Sequence, residues 1–429
     1  LDIGGQWSIS KKVSLDNLPM LDGEQSGHVQ VAELPIRLRV QVKGDGLSAV
    51  VRSGDQSSEW ISEEAITPSF QSGGVALVSH EGKFGFDNMS LTGKGVIDHA
   101  DRAWGPVLCT LYTVDDGVLS MTAQFPPMDA LRPGEAILEI EREGDWHPTS
   151  MALIDSDSWT ATFRVPRWDA ASAARYRIRF EEPLADYTTR ATYSQTGRIP
   201  EEPTQGEFVI AAMNCQKVYT GNLKWNHNGL WMPHDETVRS VRGHQPDLIF
   251  FAGDQIYEGD LTPVDAKQLT LDYLYKWFRW CWSFGELTRD CPTVVIPDDH
   301  DVYHGNIWGA GGRRAVKTKT LSAQDSGGYR WPAEFVNMVH RTQTSHLPDP
   351  ADPTPIEQGI SVYYTDLDWG GLSCAILADR MFKSSPSVAV PDGQFKNGWP
   401  QAPDFDASVD ADVPHAELLG ERQERFLEE

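Results

Sequence analysis

Four apolar runs, each followed within three residues by polar ones, constrain this chain more than any other feature. They cover residues 208–213, 248–251, 293–296 and 372–377. Uninterrupted runs of β-branched, aromatic and aliphatic residues read as strands buried on both faces. Between the second and third runs, Leu271, Leu274, Trp277, Phe278 and Cys281 fall on one face of a helix expected over 269–284. The aromatics of that helix are expected to be core and not a ligand cage. Runs alternating with helices imply an α/β domain with a largely parallel sheet. In such sheets ligands sit beyond the carboxyl ends of the strands, which is where the polar residues fall.

The polar residues carry a recognisable chemistry. The first run delivers Asn214-Cys215-Gln216, and the second Gly253-Asp254-Gln255-Ile256-Tyr257-Glu258. The third delivers Asp298-Asp299-His300-Asp301, and the fourth Asp379-Arg380. Carboxylate and phenolate oxygens suit hard cations, and a thiolate favours iron or zinc. A carboxylate shared by two ions beside an imidazole suits phosphoester hydrolysis. Either acidic motif alone is common by chance, since acidic runs are usually solvated loops. Both at strand ends, in order, after a strand ending in Cys, are far more specific.

The chain before residue 205 reads differently. Residues 1–98 read as all-β: Ile36, Leu38, Val40 and Val42 alternate with polar residues up to Gly44-Asp45-Gly46, a hairpin signal. With Ser72-Gly73-Gly74-Val75-Ala76-Leu77 and Phe84-Gly85-Phe86-Asp87-Asn88, this part resembles the closing half of a concanavalin-like (laminin-G-type) jelly roll. Residues 105–200 alternate again, with Trp159, Ala161, Phe163 and Val165, then Tyr176, Ile178 and Phe180, as the apolar set. That pattern suggests an immunoglobulin-like sandwich. Binding of glycan or matrix is one role for these β regions, and a spacer or lid against an enzyme domain is at least as well supported. Pro200 and Pro203 mark a linker over 197–204, and residues 386–414, rich in Pro, Asp and Gly, read as a long loop.

Composition excludes some partners. Of 429 residues, 37 are Lys or Arg and 62 are Asp or Glu, a formal charge of −25. This opposes a nonspecific grip on nucleic-acid backbone or anionic lipid. A small phosphoester is not excluded, because bound cations reverse the field locally. No apolar run approaches the ~20 residues of a membrane span. The five cysteines are odd in number and include no Cys-x-x-Cys pair, so no disulfide framework is expected. A Cys281–Cys291 pair is open, with buried free thiols preferred.

Met213-Asn214-Cys215-Gln216, Gly253 to Glu258 and Asp298 to Asp301 resemble the signatures of PhoD-like metallophosphatases, the alkaline phosphatase D family. Ile376-Leu377-Ala378-Asp379-Arg380 and Leu418-Leu419-Gly420-Glu421-Arg422-Gln423 resemble later landmarks of that family. The resemblance covers residues 205–429 and implies a two-sheet β core flanked by helices. It implies that Cys215, Asp254 and Tyr257 bind ferric iron, and that Asp254 bridges to calcium or another divalent cation held by Asp299. His300 would stand near the leaving oxygen. Asp298, Asp301, His304, Asn306 and Arg380 remain candidates for metal or substrate contact. The stretch Val302-Tyr303-His304-Gly305-Asn306 departs from relatives that place calcium ligands there. The family's last strand, with its Gly-Asp-x-His motif, is also missing, so the domain is expected to be incomplete, cut within a helix over 417–429. The expectation is a secreted or periplasmic phosphomonoesterase or phosphodiesterase. The alternative is a non-catalytic glycan- or matrix-binding protein with a remnant phosphatase domain.

Overall fold

The computed structural model describes residues 4–15, 18–30, 36–43, 46–61, 89–94, 96, 105–128, 134–183, 190–217 and 234–429. These residues are mostly β with some α. They belong to two compact units, Leu1–Arg102 with Tyr219–Trp231, and Ala103–Val218 with Met232–Glu429. No helix among them is long and apolar enough to cross a membrane.

In the first unit, β1 (Gly4–Leu15) and β2 (Leu18–Gln30) pair antiparallel. A separate meander joins β3 (Arg37–Lys43), β4 (Gly46–Ser53) and β5 (Gln56–Ile61). The expected hairpin is present, with Arg37 opposite Arg52 and Lys43 opposite Gly46. Its expected buried face is not: all seven residues of β3 are exposed. Among the described residues β3 is an edge strand bonded to β4 alone, whereas Ala49 and Val51 of the central strand are buried. Residues 44–45, 72–77 and 84–88 lie outside the described residues.

The second unit opens with two antiparallel sheets. β6 (Cys109–Asp115), β7 (Val118–Gln124) and β10 (Thr160–Pro166) form one, in the order β10-β7-β6. β8 (Glu135–Arg142), β9 (Asp145–Leu153), β11 (Ala174–Pro183) and β12 (Arg190–Ile199) form the other, in the order β12-β11-β8-β9. Between them lie Tyr112, Met121, Phe163, Leu138, Ile178 and Phe180, all buried. The alternation at 159–165 and 176–180 thus marks real inner faces.

A parallel sheet follows, β13 (Ile210–Met213), β14 (Leu248–Phe251) and β15 (Thr293–Val295), in that order. The crossovers carry α1 (Asp235–Gly243) and α2 (Leu269–Thr288). The fourth apolar run does not join this sheet. It forms β17 (Leu372–Ile376), paired antiparallel with β16 (Thr365–Trp369). Gly370 and Gly371, at φ +64° and +76°, turn between them, and two successive positive-φ residues specify a tight hairpin. α3 (Ala333–Thr344) and α6 (Glu421–Glu428) complete the helices, with short turns α4 (Pro386–Ala389) and α5 (Ala407–Asp410) inside the expected loop.

The expected boundary near residue 200 is not a boundary between compact units. On β6, β7 and β10 the residues pointing away from the sandwich interior meet the α/β elements. Thr113 Oγ1 donates to the His346 carbonyl at 2.5 Å, and Trp277 Nε1 of α2 donates to Gln124 Oε1 at 3.0 Å. Arg164 donates to the carbonyls of Ser345 and Leu347 at 2.9 and 3.0 Å. α2 lies in this interface. Trp277 stacks on Trp280 with centroids 4.6 Å apart, and Phe251 of β14 meets Trp280 edge-on at 4.9 Å. Of the expected face Leu274, Trp277 and Cys281 are buried and Leu271 is exposed, and Tyr273, Trp280 and Phe284 widen the buried side. Cys281 faces Cys109, and Cys291 donates to the Pro246 carbonyl, so the Cys281–Cys291 pairing is not formed.

The two turn glycines separate backbone strain from packing. A Cβ on Gly370 would lie 2.3 Å from Phe208 Cε2, whereas one on Gly371 meets nothing within 4 Å. Each alanine variant should lose about 1–2 kcal/mol from the left-handed backbone alone. Gly370→Ala should melt at a clearly lower temperature than Gly371→Ala, because Phe208 must also move. Equal melting temperatures would show that the Phe208 contact has no weight.

Candidate metal centre

The three parallel strands end in loops laced together by backbone bonds. Ala252 donates to Met213 O, Cys215 to Gly253 O and Gln216 to Asp254 O, at 2.8–3.1 Å. Cys215 and Asp254 both take positive φ, 56° and 55°, a conformation that disfavours side chains and clusters at functional sites. Gly253 is required by close approach: a Cβ there would stand 2.3 Å from Asp298 Cβ. Absence of that Cβ lets the second acidic loop lie against the first.

The result is a cluster of carboxylates. Asp254, Asp298 and Asp299 each offer an oxygen, all within 4.8 Å of one another. Cys215 Sγ lies 3.6 Å from Asp254 Oδ2. The Tyr257 side chain lies beside both Cys215 and Asp254. Asp299 Oδ2 accepts the Asn306 backbone N–H at 2.5 Å, and Asn306 itself sits at φ 55°. Arg380 grips Asp298 with both branches, Nη2 to Oδ2 at 3.0 Å and Nε to Oδ1 at 2.9 Å. Gln423 of α6 fixes the backbone that carries Arg380, accepting the Ala378 N–H at 2.7 Å.

His300 stands beside the cluster. Its Nδ1 bonds to Glu258 Oε2 at 2.6 Å, its Nε2 lies 4.0 Å from Asp299 Oδ2, and its ring packs on Tyr257 at 4.3 Å. Lys217 lies over Tyr257 at 4.4 Å and pairs with buried Asp260 at 3.3 Å.

Asp301 is placed differently from its neighbours. Its side chain is fully buried and accepts the backbone N–H groups of Asp254, Gln255, Ile256 and Asp298, plus Gln343 Nε2. That coordination leaves it a loop organiser. His304 is buried with neither ring nitrogen hydrogen-bonded, and burial, then the nearby Arg330, pushes its pKa down to about 4. His340, His346 and His415 bond to Ser361, Thr293 and Ala389, away from the cluster. Glu258, Lys217, Gln343 and Gln423 belong to the site although no role was read for them. Glu258 sits inside the first acidic motif, a signal within reach; Gln343 comes from α3 and carries none.

The electrostatics are those of crowded anions. Burial, then Asp299, raises the pKa of Asp254. Burial raises Asp298 to about 7 against the pull of Arg380, with Asp299 and Asp254 adding to the rise. Burial raises Cys215 and Tyr257 as well, and Asp254 adds to both. For His300 burial opposes the charged form, but the Glu258 hydrogen bond and charge outweigh it, and the pKa rises to about 9. A thiol, a phenol and three carboxyls that repel one another at one spot are a donor set suited to a cation. No family model matches the sequence, and no curated protein is significantly similar to it.

Without a cation this site should weaken the fold as pH rises. A group whose folded pKa lies above its unfolded one contributes stability at low pH and loses it through the folded value. Asp298, at about 7, and His300, at about 9, both fall in that class. The chelator-treated protein should therefore melt lower at pH 9 than at pH 6, and a bound divalent or trivalent cation should shrink the difference. A pH-independent melting temperature in chelator would contradict this electrostatic picture.

Proposed function

We propose that this chain is a metal-dependent phosphoester hydrolase of the PhoD-like kind. The observation that carries the reading is the convergence of Asp254, Asp298 and Asp299 within 4.8 Å, at the ends of parallel strands and with Cys215 3.6 Å from Asp254. Cys215, Asp254 and Tyr257 would hold ferric iron, a soft and a hard donor set together. Asp254 and Asp299 would also hold calcium or another divalent cation. When bound, the cations supply Lewis acidity towards a phosphoryl group and make a nearby water acidic.

The protein's own groups do the rest. Asp298 aims the Arg380 guanidinium, whose planar fork matches phosphoryl oxygens. Glu258 holds His300 Nδ1, which fixes the ring and leaves Nε2 free to donate a proton to the departing oxygen. Gly253 and Asp301 keep the two acidic loops in register. Substrate is a phosphomonoester or phosphodiester, and an exported location, secreted or periplasmic, goes with the family resemblance.

Metal analysis with activity assays tests this. The protein should carry stoichiometric metal, and Asp254→Asn should reduce it. Iron-loaded protein should absorb visible light through the Tyr257 phenolate, and Tyr257→Phe should abolish that band. Metal content and spectrum unchanged in these variants would remove the assignment. Absence of any bound metal would favour a binding protein with a remnant domain.

His300→Ala should lower kcat by about 10²–10⁴-fold, the range of a general acid, with metal retained. The loss should be smaller for esters with very good leaving groups. Equal losses across leaving groups would assign His300 an orienting role instead.

A further inference from the structure

We infer that Cys109 and Cys281 form a disulfide that ties the first β-sandwich sheet to helix α2. The two sulfurs lie 2.7 Å apart although 172 residues separate them in the chain. The two thiols are thus juxtaposed, within a small side-chain adjustment of a bond of about 2.05 Å. Both thiols are buried, at 1% and 0% exposure, and each is the other's sulfur partner. The backbones approach closely enough for a bridge because Gly285, one turn beyond Cys281, presents no side chain. A Cβ there would already lie 3.5 Å from Cys109 Cβ. Cys109 points to α2 by the strand's own periodicity: Cys109, Leu111 and Thr113 share one face of β6, while Thr110 and Tyr112 face the sandwich interior and Tyr176. The other cysteines are not placed to compete. Cys291 bonds to Pro246 O, Cys215 lies at the acidic cluster, and Cys374 sits on β17.

The reaction is a thiol–disulfide exchange with an oxidised dithiol donor such as glutathione disulfide. The thiolate of one cysteine attacks a donor sulfur, breaking the donor S–S bond and releasing one donor thiol. The second thiolate then attacks the mixed disulfide and releases the other. Two protein thiols lose two electrons and two protons, and the donor gains them. Because both sulfurs are buried, the exchange takes place before α2 closes on β6, and the finished bond is shielded from reductant. A bridge over so long a loop removes much unfolded-state freedom. The inference does not depend on metal or on phosphoester chemistry.

The test is alkylation of the whole chain. Protein is refolded in a glutathione/glutathione disulfide buffer, unfolded in guanidinium with a maleimide, and weighed. Of the 5 cysteines, three should be labelled before reduction and all after it. Peptide mapping should recover the peptides of Cys109 and Cys281 joined. Reduction should require unfolding, and the oxidised protein should melt about 5 °C or more above the fully reduced one. A Cys109→Ala, Cys281→Ala double variant should melt with the reduced form. If that variant fails to fold, the labelling of the unaltered protein still decides. Five labels before reduction, or three with a different pair joined, would overturn the inference.

Discussion

Five N–H groups converge on the buried carboxylate of Asp301, and the geometry at the strand ends depends on them. Four belong to the backbones of two loops 42 or more residues apart, and one to Gln343 of α3. Burial pushes this carboxyl up to about 8, whereas five donors and no acceptor favour its ionised form. A protonated Asp301 would turn one oxygen into a donor facing another donor. The ionised side chain therefore joins the Asp254 loop to the Asp298 loop and orients both on a third element. Gly253 permits the same closeness by omission. Together they bring Asp254, Asp298 and Asp299 nearer than their charges would choose, and a buried anion held this way is a structural part of the site, not a ligand in it.

The sandwich supports that arrangement from behind. Along β6, β7 and β10 one face is apolar and fills the sandwich, and the other presents Thr113, Gln124 and Arg164 to the α/β elements. These are donors and acceptors for loop backbone, which has its own polar groups to satisfy when buried. Trp277 answers Gln124, and the carbonyls of Ser345, His346 and Leu347 answer Arg164 and Thr113. A hydrocarbon face would leave those groups unpaired. The same α2 that meets the sandwich through Trp277 also packs Trp280 on Phe251, two residues before Gly253. Support for the acidic loops thus runs through one helix into the β sheets.

Much of this was legible in the sequence. Runs at 248–251 and 293–296 are strands of one parallel sheet because both faces are covered, and the acidic motifs follow at their exits. The period-two pattern at 159–165 found the strand and its inner face. It could not show that Thr160 is buried and that Arg164 meets loop carbonyls, since polar residues that meet a buried loop and polar residues that meet water look alike. The run at 372–377 was misplaced for a similar reason: apolar content does not say whether a strand joins a parallel sheet or folds back, and the informative residues were Gly370 and Gly371 ahead of it. On β3 a regular alternation implied burial where the strand is an exposed edge. Among Asp298, Asp299 and Asp301, residue type did not distinguish the carboxylate turned to the cluster from the one turned to backbone amides. That distinction rests on Gln343 and on backbone direction, neither written in the motif.

Charge sets the order in which this site can act. Its basic groups are already engaged, Arg380 with Asp298 and Lys217 with Asp260, and His300 is tied to Glu258. A phosphate dianion approaching the cluster as it stands would meet the field of Asp254 and Asp299 as well as these paired cations, on a chain of formal charge −25. Near a bound ion that field reverses, because a di- or trivalent cation is the largest charge in such a site. Cation binding also lowers the proton affinity of Asp254, Cys215 and Tyr257, whose pKa values are raised without it. The same carboxylates that exclude an anion from the bare site would admit one to a loaded site, so on the proposed reading metal occupancy would precede phosphoester binding.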